Sequence, residues 1–143
     1  MTYSKEQLKQ LRKLLPKEAD EQMLSCSWIA TKFDYYEWIH IANENLFLSL
    51  LPEKLAFRII NHLKKLGLKK GFPDIMIFRT LEFEGITYKG LVIEVKRQIP
   101  LDSPVSSEQA EWLTQMKLKN GWYSIVCYGA EQVQKAVTEL YRL

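Results

Sequence analysis

The chain has 143 residues, of which 47% are hydrophobic and 26% charged, and this length and balance fit one globular domain with its own core. No apolar run reaches the roughly 18–20 residues that a membrane-spanning helix needs, and no apolar signal stretch follows the basic N-terminus. With two cysteines and two histidines, the composition excludes a disulfide framework and argues strongly against a Cys/His zinc site. We therefore expect a cytoplasmic protein with reduced thiols and no membrane contact.

Positive charge is concentrated in one segment. The formal net charge is +3, yet residues 54–73 contain six lysines and arginines and no acid, so the remainder of the chain is net negative. A basic segment on an acidic body favours local contact with a polyanion. The alternative is a solvated helix face balanced by acids elsewhere in the fold.

The first third of the chain predicts two helices. Ser4 and Gln7 have the spacing of a capping box, leucines follow at helical intervals, and Pro16 ends a helix over 5–15. A weaker helix is expected over 17–31. Its candidate buried residues are the large apolar ones, namely Met23, Leu24, Trp28 and Ile29.

The next stretch is aromatic and then helical. Residues 33–41 are rich in strand formers, which favours an extended conformation. Asn43 is a candidate N-cap, and Glu44 follows in the first turn, where the helix dipole favours a carboxylate. A helix over 44–51 is expected to follow.

A second helical segment, over 52–66, carries the basic residues. Gly67 is expected to end this helix, because glycine is common just after a helix C-terminus. At 100° per residue, a basic stripe separates from the apolar stripe of this helix. The basic stripe consists of Lys54, Arg58, His62 and Lys65.

The remaining patterns alternate between strand and helix. In chain order they predict strands over 74–79 and 86–96 joined by a turn at 82–85, a loop over 97–105, a helix over 106–119, a strand over 122–128 and a helix over 130–143. Helices followed by β–β–α–β–α indicate one α/β domain over residues 1–143 with a mixed sheet.

The stretch from Gly71 to Lys96 is the most informative for chemistry. Glu94 and Lys96 lie two apart on a predicted strand, so their side chains project from the same face. If Asp74 begins the neighbouring strand, its carboxylate converges with that of Glu94. Carboxylates and backbone oxygens are the ligands that Mg²⁺ or Mn²⁺ selects, and a nearby lysine suits attack of water on a phosphodiester. A lone Glu-x-Lys is usually a solvated charge pair, but the whole pattern favours a site.

This pattern, a Pro-Asp pair followed by Glu-x-Lys, resembles the PD-(D/E)xK nuclease superfamily and, more narrowly, the VRR-NUC family of virus-type replication-repair nucleases. Further matches to the narrower family are Asn43-Glu44, Gly71 before Pro73-Asp74, and Ser107-x-Gln109-x-x-Trp112. The resemblance covers about residues 38–130 and leaves the first 35 residues outside it.

The resemblance implies a restriction-endonuclease-like core, in which helices flank a mixed central sheet, with residues 1–35 as an N-terminal helical extension. The implied metal ligands are Glu44, Asp74, Glu94 and the Val95 carbonyl, with Lys96 as the catalytic lysine and Gln109 as a supporting catalytic residue.

Simpler readings of three of these residues stay open. Glu44 could be only a first-turn acid favoured by the helix dipole. Gln109 also completes a capping box with Ser106, and the two roles are compatible. For Trp112, packing in the core is a simpler interpretation than stacking on DNA.

By resemblance, the protein is expected to be an Mg²⁺- or Mn²⁺-dependent DNA endonuclease that leaves 5′-phosphate and 3′-hydroxyl ends, encoded by a bacterium or a phage. Small members of the family resemble homodimeric enzymes that cut branched DNA, including Holliday-junction resolvases. Residues 1–35 are a candidate dimer element, or pack on their own core. The candidate DNA contacts are Lys54, Arg58, Lys65, Lys69 and Lys70.

Two other functions stay open. One is a restriction-like or flap nuclease that acts on another substrate geometry. The other is a non-catalytic DNA-binding module with the same fold, against which the full set of acidic residues and the lysine argue.

Overall fold

The computed structural model describes residues 2–41, 50–101 and 104–143. These residues form helices α1 (Lys5–Leu14), α2 (Glu18–Lys32), α3 (Glu53–Lys65), α4 (Ser107–Leu118) and α5 (Ala130–Tyr141), and strands β1 (Trp38–His40), β2 (Ile75–Ile77), β3 (Leu81–Phe83), β4 (Ile86–Tyr88), β5 (Leu91–Lys96) and β6 (Tyr123–Tyr128). The predicted helix over 44–51 and its Asn43 cap lie outside the described residues.

Local sequence signals set several helix ends. Ser4 and Gln7 form the expected capping box at α1, and Ser106 and Gln109 form a second one at α4. In each box the serine hydroxyl and the glutamine side chain satisfy backbone N–H groups that the helix start leaves without partners. Gly67 follows α3 with φ of +101°, a conformation that glycine adopts without strain. These boundaries agree with the prediction to within one or two residues.

The main sheet is mixed, as expected. Its strand order is β1-β2-β5-β6, in which β2 runs antiparallel to both neighbours and β5 runs parallel to β6. The parallel pair requires a crossover, and α4 provides it. The predicted α/β architecture with helices around a mixed sheet is therefore confirmed.

One predicted strand is wrong in its extent. The run over 86–96 is two strands, because Gly90 interrupts it and β4 turns back onto β3 as a separate hairpin. The hairpin turn is formed by Glu84 and Gly85, both with positive φ. At Gly90 a side chain has no room, since an added Cβ would come within 2.1 Å of the Ile77 carbonyl oxygen.

The core lies between one face of the sheet and two helices, α2 and α5. The sheet contributes fully buried aliphatic residues, and the helices add Ile29, Val133 and Val137. The sheet residues are Ile75, Ile77, Leu91, Ile93 and Val95. The opposite face of β5 and β6 packs against α4.

Two further predictions are corrected on α2 and β1. Met23 and Leu24 are 62% and 53% exposed, so they do not belong to the buried face. The face that α2 buries is largely polar, with Glu21, Gln22 and Ser25 beside Ile29. The predicted extended stretch over 33–41 shortens to three residues, because α2 continues to Lys32 and a turn follows it.

Glu21 explains part of this polar burial. Its carboxylate accepts hydrogen bonds from the Ala130 backbone N–H at 2.5 Å and from Gln98 Nε2 at 3.0 Å. Ala130 is the first residue of α5, where the helix dipole favours a negative charge. Glu21 thus fastens the start of α2 to the start of α5 at the carboxyl end of β6.

The N-terminal helix α1 is attached differently. It buries no residue fully, and its leucines Leu8, Leu11 and Leu15 are half-buried. Arg97, directly after β5, donates to the carbonyls of Leu15 and Pro16 at the end of this helix. No described helix combines the length and apolarity that a bilayer crossing requires.

Replacing Glu21 tests its fastening role. Glu21→Ala should lower the free energy of unfolding by roughly 1–3 kcal/mol, because the Ala130 N–H stays buried without a partner. Urea denaturation followed by circular dichroism measures the loss. Glu6→Ala, which removes an exposed glutamate from the first turn of α1, is the control and should change stability by about 0.5 kcal/mol or less. Equal effects of the two changes would contradict the assignment.

Candidate active site

Asp74 lies at the point where β2 begins beside β5. Its N–H donates to the Ile93 carbonyl at 3.0 Å, and its Oδ2 accepts from the Val95 N–H at 2.8 Å. The side chain is 1% exposed. The predicted adjacency of these two strands holds, and the backbone of β5 fixes the position of the Asp74 carboxylate.

Glu94 and Lys96 project from the same face of β5, as their spacing predicts. They are only 1% and 4% exposed, and Lys96 Nζ lies 3.5 Å from Glu94 Oε1. Between them, Val95 points to the opposite face and is buried in the core. The pair is therefore not a solvated charge pair, which was the simpler interpretation of this motif.

Gln109 on α4 joins the two charged groups. Its Nε2 donates to Glu94 Oε1 at 2.6 Å, and its Oε1 accepts from Lys96 Nζ at 3.0 Å. The same Oε1 accepts from the Ser106 N–H at 3.0 Å, which is the capping-box contact. The structural and site contacts of Gln109 thus coexist on one carboxamide.

The turn before Asp74 depends on Gly71. Its φ is +87°, and a Cβ at this position would lie 2.9 Å from the backbone of Glu108 and Gln109. Glycine therefore lets this turn pack directly on the start of α4. Trp112 supports the same contact, because its Nε1 donates to the Lys70 carbonyl at 3.0 Å and its ring meets Phe72 edge-to-face. These contacts agree with the packing interpretation of Trp112.

The electrostatics of the site disfavour a second negative charge. Burial, and after it the charge of Asp74, raise the pKa of Glu94 from 4.5 to about 8. Lys96 lowers this pKa, but its attraction is the weaker effect. Metal-free, the site therefore favours a protonated Glu94 at neutral pH.

Glu18, at the start of α2, is a site neighbour that the sequence did not single out. Its charge also raises the pKa of Glu94, so the two carboxylates lie close enough to repel. In sequence Glu18 is one of three acids in the first turn of α2. Nothing in that local pattern distinguishes it, because its proximity to Glu94 arises from the packing of α2 on β5.

The expected metal ligands are only partly described. Asp74 and Glu94 come together, and Val95 follows Glu94 on β5 and donates its N–H to Asp74, whereas Glu44 lies outside the described residues. Over residues 2–41, 50–101 and 104–143, no group of three histidine, cysteine or acidic side chains is arranged to hold a metal ion. Both cysteines are free thiols.

The candidate DNA contacts fall into two groups. Lys54, Arg58 and Lys65 are exposed on α3, and Lys69 and Lys70 are exposed just before the Gly71 turn. Lys70 lies 3.7 Å from Glu108, and Lys69 lies 6.0 Å from the centre of the Trp112 ring. The second group therefore sits beside the helix that carries Gln109, close to the carboxylates.

Comparisons with known proteins bear on the family and the fold of this chain. The chain matches none of the curated proteins. A solved structure of a VRR-NUC domain protein has the same fold, with a TM-score of 0.63 at 19% identity over 90% of each chain.

The VRR-NUC domain family model matches residues 16–131. This range begins before α2, so the family likeness starts earlier than residue 38, and the expectation that the first 35 residues fall outside it is wrong for residues 16–35. Because the match covers most of the chain, the protein belongs to the VRR-NUC family of nuclease domains.

Proposed function

We propose that this nuclease is an Mg²⁺- or Mn²⁺-dependent DNA endonuclease that hydrolyses phosphodiester bonds in branched DNA, including Holliday junctions. The observation that carries the proposal is the burial of Asp74 and Glu94 side by side with the amine of Lys96. Burying an ionised carboxylate without a counter-charge costs folding free energy. Such buried acids are found most often in active sites.

The described residues fit a hard divalent cation. Glu94 Oε2 is buried and has no hydrogen-bond partner among the described residues, and the neighbouring charge of Asp74 makes its ionisation unfavourable. A cation would remove both penalties, because Mg²⁺ and Mn²⁺ prefer carboxylate and carbonyl oxygens. Asp74, Glu94 and the Val95 carbonyl would hold it, together with Glu44, and Glu18 adds negative potential nearby.

The protein's own groups then orient the reaction. When bound, the cation would lower the pKa of a water molecule and stabilise negative charge on the phosphate. Lys96 has three donor hydrogens, of which Gln109 accepts one while Glu94 Oε1 lies 3.5 Å away, so a donor would remain for the phosphate or the attacking water. Gln109 fixes the distance between Lys96 and Glu94 by bonding both. The attacking oxygen therefore meets an amine that is already in place.

Branched DNA and a homodimer are the finer parts of the proposal. A symmetric dimer would present two such sites, which suits paired cuts in a four-way junction. Helix α1 supports a dimer, because its leucines stay only half-buried within one chain. The exposed lysines before the Gly71 turn support contact with the DNA backbone.

Substitution of the site residues tests the reaction. Asp74→Asn and Glu94→Gln should abolish cleavage while leaving the fold intact, because each removes a proposed ligand without removing volume. Lys96→Met should lower kcat by about 100-fold or more, since it removes charge stabilisation at the phosphate. Cleavage of four-way, flap and linear DNA with Mn²⁺ or with chelator is the measurement.

The matched control is Glu84→Gln, which neutralises an exposed acid in the hairpin turn. It should cleave at the wild-type rate. Cleavage in chelator would reject the metal, and equal rates on linear and four-way DNA would reject the preference for junctions. Binding of DNA without cleavage of any substrate would instead indicate a binding module.

The raised pKa of Glu94 predicts a pH-dependent stability. Between pH 4.5 and about 8, the metal-free folded state holds a proton that the unfolded state releases, so stability should fall as pH rises through this window. Glu94→Gln should lack this part of the fall, because its amide stays neutral. Urea midpoints in chelator at pH 5.5 and 8.5 measure the difference, and parallel profiles for the two proteins would reject it.

Charge reversal tests the DNA contact of the two lysines. The double change Lys69→Glu and Lys70→Glu should weaken DNA binding at low salt and reduce the slope of log K against log salt by about 1.8. Fluorescence anisotropy over a salt series measures both. The control reverses the charges of Lys32, the last residue of α2, and Lys89, which lies between β4 and β5. Both are exposed, and the double change should leave most of the DNA affinity in place. Equal losses would show only a general charge effect.

A further inference from the structure

A cavity of about 320 Å³ lies at the carboxyl ends of β5 and β6, next to the proposed catalytic residues but not formed by them. Its volume is within the range of pockets that hold small organic ligands. The side chains that line it come from the end of β6, the segment after β5 and the first two turns of α5, and include Gln98, Ile99, Tyr128, Gln132 and Lys135. An aromatic ring, two carboxamides and an amine therefore border one space.

The strand register places this cavity beside the proposed catalytic lysine. Tyr128 is the Cα partner of Lys96 in the parallel ladder, and the Gly129 N–H donates to the Lys96 carbonyl at 2.8 Å. Val95 and Cys127, one residue earlier on each strand, are both buried in the core. Because side chains alternate along a strand, Lys96 and Tyr128 project from the opposite face, which is the face of the proposed catalytic residues.

The two carboxamides of the cavity are held in defined orientations. Gln98 Nε2 donates to Glu21 Oε1 at 3.0 Å, so its Oε1 is the arm that can accept from a ligand. Gln132 Oε1 accepts from the Tyr128 N–H at 2.9 Å, so its Nε2 is the arm that can donate. A carboxylate only accepts and a backbone N–H only donates, which fixes both assignments. The cavity thus presents an acceptor and a donor together.

This combination matches a nucleobase. A base has a flat face that stacks on aromatic side chains, and its edge carries donors and acceptors side by side. Lys135 is exposed and suits a backbone phosphate, whereas Glu131, which also lines the cavity, would repel a phosphate and can accept from a base amino group. A phosphate alone would leave the ring and both carboxamides without a matching group.

We propose that this cavity is a subsite for one unpaired nucleotide of the DNA substrate, whose base contacts the ring of Tyr128 and whose edge bonds to Gln98 and Gln132. A base must leave its duplex stack to enter, because pairing covers its edge and stacking covers its faces. Branched DNA provides such nucleotides in single-stranded flaps. The inference rests on the proposed function and deepens it, since it names the feature of the branched substrate that is bound beside Lys96.

An abasic scan of a flap DNA tests the subsite. Each nucleotide of the single-stranded arm near the branch is replaced in turn by an abasic nucleotide, and affinity is measured in chelator by fluorescence anisotropy. Wild-type protein should lose about 10-fold in affinity at one position, in line with the stacking of one base on an aromatic ring. Tyr128→Ala should bind the intact flap about 10-fold more weakly and lose nothing further at that position. A tyrosine with only a structural role would not show this coupling.

Two conservative variants separate the ring from its surroundings. Tyr128→Phe keeps the ring and should bind the intact flap within about two-fold of wild type, since stacking does not need the hydroxyl. Gln132→Glu keeps the acceptor for the Tyr128 N–H and replaces the donor Nε2 by an oxygen, so it should weaken binding by about three- to ten-fold.

Each variant has a matched control. Tyr36→Ala removes a tyrosine that is 88% exposed in the turn before β1, beyond the end of the sheet opposite to Lys96. Gln134→Glu makes the same charge change as Gln132→Glu on α5, at a residue that does not line the cavity. Both controls should bind the flap within about two-fold of wild type and keep the sensitivity to the abasic nucleotide.

Unchanged affinity of Tyr128→Ala, or an equal loss with intact and abasic DNA at every position, would overturn the subsite. Losses in the controls as large as in their paired variants would overturn it as well. Binding is measured without cleavage, so the two proposals fail separately. If wild-type protein cuts DNA and Asp74→Asn does not, while the abasic scan is flat, only the subsite fails. If wild-type protein cuts no DNA, the proposed function itself fails.

Discussion

Burial of two neighbouring acidic side chains is the constraint on which the rest of this site depends. Asp74 and Glu94 lie on adjacent antiparallel strands and are almost completely shielded from water, so their charges cannot be screened. The surrounding groups offset this cost without removing it. The Val95 N–H bonds Asp74, and Lys96 and Gln109 bond or pair with Glu94, yet the pKa of Glu94 stays far above its usual range.

Two helices surround the Asp74–Glu94 pair from different sides. Helix α4 brings Gln109 to one face of the sheet. Its first turn packs closely on the turn before Asp74, because Gly71 has no side chain to keep them apart. Helix α2 approaches from the other side, with its polar face buried and anchored by Glu21 to the start of α5. The site is thus held by regular elements, which keeps donors in place before any substrate arrives.

Helix α2 exposes apolar residues and buries polar ones. A helix that faces a polar site reverses the usual pattern, so Met23 and Leu24 face solvent while Glu21 and Gln22 are buried. Hydrophobic periodicity assumes an apolar partner surface, and it fails where a helix packs on polar groups. Glu18 was missed for the same reason, since its closeness to Glu94 depends on what α2 packs against.

The sequence by itself determined the family, the element order, the capping boxes and the pairing of Glu94 with Lys96, because these depend on local periodicity and on short motifs. It also indicated that Gln109 combines a cap with a site contact. Only the tertiary structure revealed the β3–β4 hairpin, the burial of the polar face of α2 and the raised pKa of Glu94. Those features arise from burial and from contacts between residues far apart in the chain, and local sequence patterns do not encode either.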